Sequence, residues 1–226
     1  MVLLKNMAET TMLSKDVQPY SVVLDLDRTL FDTNGFMDDT AEALETYFHV
    51  DARKFTRDIP NYYVPTGENL RAYDMFAHLT RLGLNSNSVE ECLLSTLPST
   101  ARGANGYLYP DSPRFINFLR NTSEVDDLSI LTHGYLRPQE IKIALSRVVI
   151  DDLRCAVTEE PKDIYLRANF QDKQGIIVDD KNIKNLPPNI VHALVDRDRT
   201  SEHGYDSLVT IQKSWSELVG QLALAS

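Results

Sequence analysis

Asp25-Leu26-Asp27-Arg28-Thr29 is the densest piece of chemistry in the sequence. Two acids, two residues apart, follow the apolar run Ser21-Val22-Val23-Leu24. A carboxylate facing a phosphate is normally repelled. A bound Mg²⁺ removes that repulsion and lets the carboxylate attack phosphorus. The second acid is then placed to protonate the leaving oxygen and later to activate water.

Three further segments carry residues of the same chemistry. Ser129-Ile130-Leu131-Thr132-His133-Gly134 ends in a hydroxyl and a glycine. A threonine hydroxyl and neighbouring amides can hold phosphate oxygens at a strand-to-loop turn. Lys162 follows Val157–Pro161 and opens a helical stretch, where an ammonium neutralises a nucleophile and a phosphate. Gly175-Ile176-Ile177-Val178-Asp179-Asp180 ends an apolar run in two acids, which suits a hard cation that prefers oxygen ligands.

These segments need elements to hold them. The apolar run over 21–26 predicts a buried strand. Further strands are expected at 128–131, 155–157, 176–178 and 190–195, with a last one at 208–211. Helices are expected at 112–119, 138–149, 163–170 and 214–224, with Ser214 as N-cap. Strands alternating with helices predict an α/β fold, a Rossmann-like three-layer parallel-sheet core. Ligands in such sheets bind beyond the carboxyl ends of the strands, where all four segments end.

The alternation breaks between 33 and 108. Helical spacing recurs over 38–58, 70–82 and 89–97, with loops at 61–67 and 98–110. This predicts an α-helical cap domain inserted after the first strand. The core is then 20–32 and 109–226, with 1–19 a poorly ordered lead-in.

With 226 residues, 42% hydrophobic and 25% charged, the chain suits one α/β domain carrying an insertion. A net charge of −10 argues against a nucleic-acid partner. Cys92 and Cys155 lack CxxC spacing and read as reduced thiols. The opening apolar run is too short for a signal segment, and no stretch approaches the ~20 apolar residues that span a bilayer. The expected address is the cytoplasm, with no membrane partner.

In this order, the acid pair, hydroxyl, lysine and second acid pair resemble the haloacid dehalogenase-like (HAD) superfamily, over residues from about 20 to 224. Asp25, Asp27 and Thr29 match its DxDxT signature. Thr132 matches the second motif, Lys162 the third and Asp179-Asp180 the fourth. Asp32-Thr33 and Tyr109-Pro110-Asp111 resemble the points where the cap leaves and rejoins the core. The chain departs from many relatives at Arg28, where they have Gly. It departs also at Pro161-Lys162, where they have Lys-Pro, and at His133, where they have Asn.

The resemblance implies roles. Asp25 is the nucleophile and a metal ligand. Asp27 is the general acid/base, with its backbone carbonyl on Mg²⁺. Asp180 is the metal ligand from the fourth motif, with Asp179 supporting it. Thr132 and the His133 and Gly134 amides hold the phosphoryl oxygens, and Lys162 offsets charge. Relatives that cleave carbon–halogen bonds or phosphonates lack an acid at the Asp27 position. The implied function is Mg²⁺-dependent hydrolysis of small phosphomonoesters through an aspartyl-phosphate. The alternatives are a phosphomutase of the β-phosphoglucomutase kind and a silent binding module. The implied partner is a small phosphorylated metabolite, and the chain is expected to be a monomer or weak dimer.

Overall fold

Tyr20-Ser21-Val22-Val23-Leu24 carries too little polar surface to face water, and it forms β1 (Tyr20–Leu24), buried at every position. This computed structural model describes residues 18–67, 70–100, 105–197 and 207–224. The expected lead-in lies outside them up to residue 17.

After β1 the chain turns through 25–31 and enters an insert. Its helices are α1 (Thr33–Phe48) and α2 (Ala52–Asp58), then, after a hairpin, α3 (Met75–Arg81) and α4 (Ser86–Thr100). Asp32 caps α1, its Oδ1 accepting from the Gly35 amide at 3.0 Å. His49 ends α1 in a left-handed conformation, so the helix expected over 38–58 is two helices.

The insert is not wholly helical. The stretch expected as a loop at 61–67 forms β2 (Tyr63–Gly67), paired antiparallel with β3 (Leu70–Tyr73). β3 takes the first turn of the helix expected at 70–82. Tyr63, Val64, Thr66 and Tyr73 are strand formers, and Pro65 is tolerated because a two-stranded ribbon is all edge. The helix starts only after Asp74, whose Oδ1 accepts from the Ala77 amide at 2.8 Å. At the far end α4 runs through Pro98 to Thr100, past the expected boundary.

The core resumes with α5 (Ser112–Arg120), β4 (Val125–His133), α6 (Leu136–Ile150) and β5 (Arg154–Thr158). It continues with α7 (Lys162–Asn169), β6 (Gly175–Asp179), β7 (Ile190–Leu194), α8 (Ser207–Lys213) and α9 (Trp215–Leu224). The strand expected at 208–211 is therefore helix α8. Its β-branched residues favour a strand, but Leu208, Ile211 and Trp215 recur at helical spacing and all three are buried. Ser214 does not cap α9 with its side chain; its hydroxyl donates back to the Thr210 and Ile211 carbonyls.

The five core strands are all parallel, in the order β5-β4-β1-β6-β7. Alternation along β1 splits the core between two faces. Val22 and Leu24 pack with Phe115, Ile116 and Leu119 of α5 and Trp215 of α9. Val23 packs with Leu131 and Ile177 against Leu166 and Phe170. Helices thus cover both faces of one sheet. No helix among the described residues is long and apolar enough to cross a membrane.

Outgoing and returning chains of the insert form a neck. The Asp32 amide donates to the Tyr107 carbonyl at 2.7 Å, and the Tyr109 amide to the Leu30 carbonyl at 2.8 Å.

Candidate active site

The central strand delivers its acids at the carboxyl end of the sheet. The Leu26 carbonyl accepts from the Leu30 and Phe31 amides, closing a tight turn over 26–31. Arg28 lies in that turn at φ 61°. An L-residue there is strained by about 1–2 kcal/mol, which Gly escapes. This accounts physically for Gly at the corresponding position of many HAD proteins. The turn is braced from behind by Arg197, which donates to the Thr29 carbonyl at 2.5 Å and to Asp111 at 2.9 Å.

Asp25 is almost wholly buried, at 3% exposure. Its Oδ1 accepts from the Lys162 ammonium and its Oδ2 from the Thr29 hydroxyl, the latter at 3.0 Å. Lys162 opens α7 and also donates to Asp179 Oδ2 at 2.5 Å. The other Asp179 oxygen accepts from the Lys181 amide at 2.8 Å. Asp180 is less tied; Arg28 Nε lies 3.7 Å from its Oδ2. Carboxylate oxygens of Asp25, Asp179 and Asp180 lie within 4.8 Å of one another.

One buried ammonium shared between Asp25 and Asp179, with Asp180 beside them, leaves excess negative charge. Burial pushes the Asp25 carboxyl up to about 7, Lys162 opposes the rise, and Asp179 and Asp27 add to it. Burial also raises Asp180, against the Lys181 cation. Burial alone would lower the Lys162 ammonium, but Asp25 and Asp179 outweigh it and raise it. This donor set fits a hard divalent cation. It is all oxygen, it clusters, and its raised acids gain by ionising against added positive charge.

Asp27 lives in the opposite field. Lys142 Nζ donates to its Oδ1 at 2.6 Å, and the Thr33 hydroxyl donates to the same oxygen at 2.6 Å. Gln139 Nε2 donates to its Oδ2 at 2.8 Å. Burial alone would raise this carboxyl. The Lys142 charge and the bonds from Lys142, Thr33 and Gln139 outweigh burial and hold it down to about 2.

Thr132 is fully buried one residue before the end of β4, and its hydroxyl has no hydrogen-bond partner among the described residues. A buried hydroxyl without a partner is costly to leave bare, and a phosphoryl oxygen would satisfy it. His133 differs from the expectation in its side chain. One ring nitrogen, Nε2, lies 3.0 Å from the Thr66 hydroxyl of β2. The ring therefore joins the insert to the core, which leaves only its amide for a phosphate. Burial, with Lys181 and Lys162 nearby, lowers its pKa.

Gly134 corrects a second expectation. Its amide donates to the Thr158 carbonyl at 2.9 Å, so it belongs to the sheet ladder and cannot also face a phosphate. Gly is needed here for another reason. A Cβ would lie 2.7 Å from Gln139 Nε2, the atom that holds Asp27.

Asp25, Thr132, Lys162, Asp179 and Asp180 thus come from the ends of β1, β4 and β6 and the start of α7. Lys142 and Gln139 were not expected. Both are buried polar residues on α6, three apart, with Ser146 one turn further on the same face. Nothing in the sequence sets them apart from the other polar residues of α6, Arg137, Glu140 and Arg147.

No family model and no curated protein matches the sequence. Solved structures do match. A haloacid dehalogenase-like hydrolase from Burkholderia xenovorans LB400 aligns with a TM-score of 0.58 at 16% identity, covering 86% of this chain and 98% of that one. The HAD hydrolase YfnB from Bacillus subtilis, bound to magnesium, aligns at 0.46 and 12% identity over 82% of this chain and 90% of that one. The L-2-haloacid dehalogenase of Xanthobacter autotrophicus aligns at 0.47 and 15% identity, over 92% and 88%. On the first of these, the chain has the fold of the HAD-like hydrolases.

Proposed function

We propose that this HAD-fold chain is a Mg²⁺-dependent phosphohydrolase that cleaves small phosphomonoesters with Asp25 as nucleophile. The observation that carries the reading is Lys162, which touches both Asp25 and Asp179 beside the Asp180 carboxylate. Acids from two strand ends and a lysine from a helix start meet at one point, Lys162 and Asp25 alone being 137 residues apart in sequence. A purely structural ion pair has no use for the second and third acids, nor for a bare Thr132 hydroxyl beside them.

Asp25, Asp180 and the Asp27 carbonyl would hold the cation, with Asp179 supporting them. When bound, the cation neutralises charge between nucleophile and phosphate and polarises the phosphoryl oxygens. Lys162 and the Thr132 hydroxyl bind the phosphoryl group from the other side. Asp25 Oδ attacks phosphorus, the phosphorus–ester oxygen bond breaks with its electron pair going to the departing oxygen, and that oxygen takes a proton that solvent delivers to Asp27 Oδ2. Water then attacks the phosphoaspartate. Its proton passes to Asp27, which Lys142, Gln139 and Thr33 hold in the carboxylate form.

The insert, 33–108, is proposed to act as a cap over this site. Its Thr33 and Thr66 hydroxyls reach Asp27 and His133. A nucleophile at 3% exposure favours a small phosphorylated metabolite over a protein substrate. A soluble cytoplasmic setting completes the proposal.

Phosphate release from a panel of phosphorylated metabolites tests it, with Mg²⁺ and with chelator, for wild type and Asp25→Asn. Release that needs Mg²⁺ and vanishes in Asp25→Asn is expected. Release that survives Asp25→Asn refutes the mechanism.

A further inference from the structure

Each oxygen of an ionised carboxylate offers about two lone-pair sites. The Asp27 carboxylate uses three of its four. Oδ1 accepts twice, from Lys142 Nζ at 2.6 Å and from the Thr33 hydroxyl at 2.6 Å. Oδ2 accepts once, from Gln139 Nε2 at 2.8 Å. The remaining site, on Oδ2, is the one place where this side chain can hold a proton or meet a water.

Two of the three donors come from one rigid element. Gln139 and Lys142 stand one turn apart on α6, at 4% and 7% exposure. One holds each oxygen, so the plane of the carboxyl is fixed. Gln139 Nε2 also donates to the His133 carbonyl at 3.2 Å. The same amide therefore ties Asp27 to the turn that follows Thr132. Gly134 makes room for it, since any Cβ there would meet Nε2.

Stability alone is a poor account of this arrangement. An apolar residue at 142 would fill the helix face without burying an ammonium. The Gln139 Oε1 atom is buried with no partner, a further penalty borne to keep Nε2 on Asp27.

We infer that Lys142 and Gln139 are positioning residues that aim Asp27 Oδ2 at the oxygen leaving phosphorus. The inference rests on the phosphohydrolase reading of the site. It separates from that reading through the leaving group. An alkyl alkoxide needs a proton as it departs, whereas p-nitrophenolate leaves without one. Misaiming Asp27 should therefore slow alkyl esters selectively.

The test measures kcat and KM of the full chain with Mg²⁺ on glycerol 2-phosphate and on p-nitrophenyl phosphate. The variants are Lys142→Met, Gln139→Leu and Lys142→Arg, with melting temperatures alongside. For Lys142→Met and Gln139→Leu, kcat/KM on glycerol 2-phosphate, which reports the steps through transfer to Asp25, should fall roughly 100-fold, against less than about 5-fold on p-nitrophenyl phosphate. Lys142→Arg keeps the charge and should recover part of the alkyl rate. It also serves where Lys142→Met melts below assay temperature, through a leaving-group preference that differs from wild type. Equal losses of kcat/KM on both esters overturn the inference while leaving the function standing. Release on either ester that survives Asp25→Asn overturns the function itself.

Discussion

The two ends of the turn after β1 make the sharpest contrast in the molecule. Asp25 and Asp27 are two residues apart, yet burial and neighbouring acids push one up to about 7 while Lys142 holds the other down to about 2. At the Asp25 end one ammonium serves several carboxylates. At the Asp27 end one carboxylate accepts from an ammonium, a hydroxyl and an amide. The first environment lacks positive charge and the second is satisfied. Spacing in sequence placed both acids at the mouth of the sheet, but partners from distant elements assign them different tasks.

Breaking the Asp25 end should have the largest effect. Asp25→Asn removes the nucleophile and should lower phosphate release by about 1,000-fold or more, followed with Mg²⁺ at saturating substrate. Lys162→Met comes next, at roughly 100-fold in kcat/KM, because Asp25 and the phosphate both lose their shared cation. Thr132→Val should cost about 10-fold in kcat/KM. Its melting temperature should hold or rise slightly, since the hydroxyl it removes has no partner in the fold. A clear drop in melting temperature would instead make Thr132 a structural residue.

The smallest effect sharpens the contrast through pH. Asp25 ionises at about 7 when folded against an ordinary value of 3.8. The folded chain keeps a proton that the unfolded chain has lost, so stability falls as pH rises from about 4 to about 7. Asp27 ionises at about 2 when folded against the same 3.8. Its contribution is full above about 4 and is lost as pH falls towards 2. Thermal melts of the chelated protein should slope downwards between pH 5 and 7 by roughly a few °C, and Mg²⁺ should flatten that slope. A slope unchanged by Mg²⁺ would place the cation elsewhere.

The Asp25 end was readable because its residues sit at strand ends, where an apolar run stops abruptly in acids or a hydroxyl. Asp25, Thr132 and Asp179-Asp180 each announce themselves in that way. The Asp27 end was half hidden. Lys142 and Gln139 lie inside an amphipathic helix, where polar residues normally face water, and only the tertiary packing of α6 turns them inwards. The hairpin of β2 and β3 was hidden by Pro60 just before it and Pro65 within β2, which read as loop. The α8 segment was hidden by Val209, Thr210 and Ile211, whose strand preference is overruled by burial at helical spacing. The Gly134 amide could not be assigned from sequence, because the ladder it completes depends on the register of β5.

The neck of the insert sets how this chain can change over evolutionary time. Residues 30–32 and 107–109 are hydrogen-bonded neighbours, so everything between them leaves and rejoins the sheet at one place. The sheet is indifferent to how much chain is looped out there. Closing a loop twice as long adds only about 0.6 kcal/mol of entropy. Helices, a hairpin or a shorter arm can therefore be traded at the mouth of the site without renegotiating the strands that hold the acids. What lies over Asp25 and Asp27 is free to drift while the two carboxylates stay where the sheet puts them.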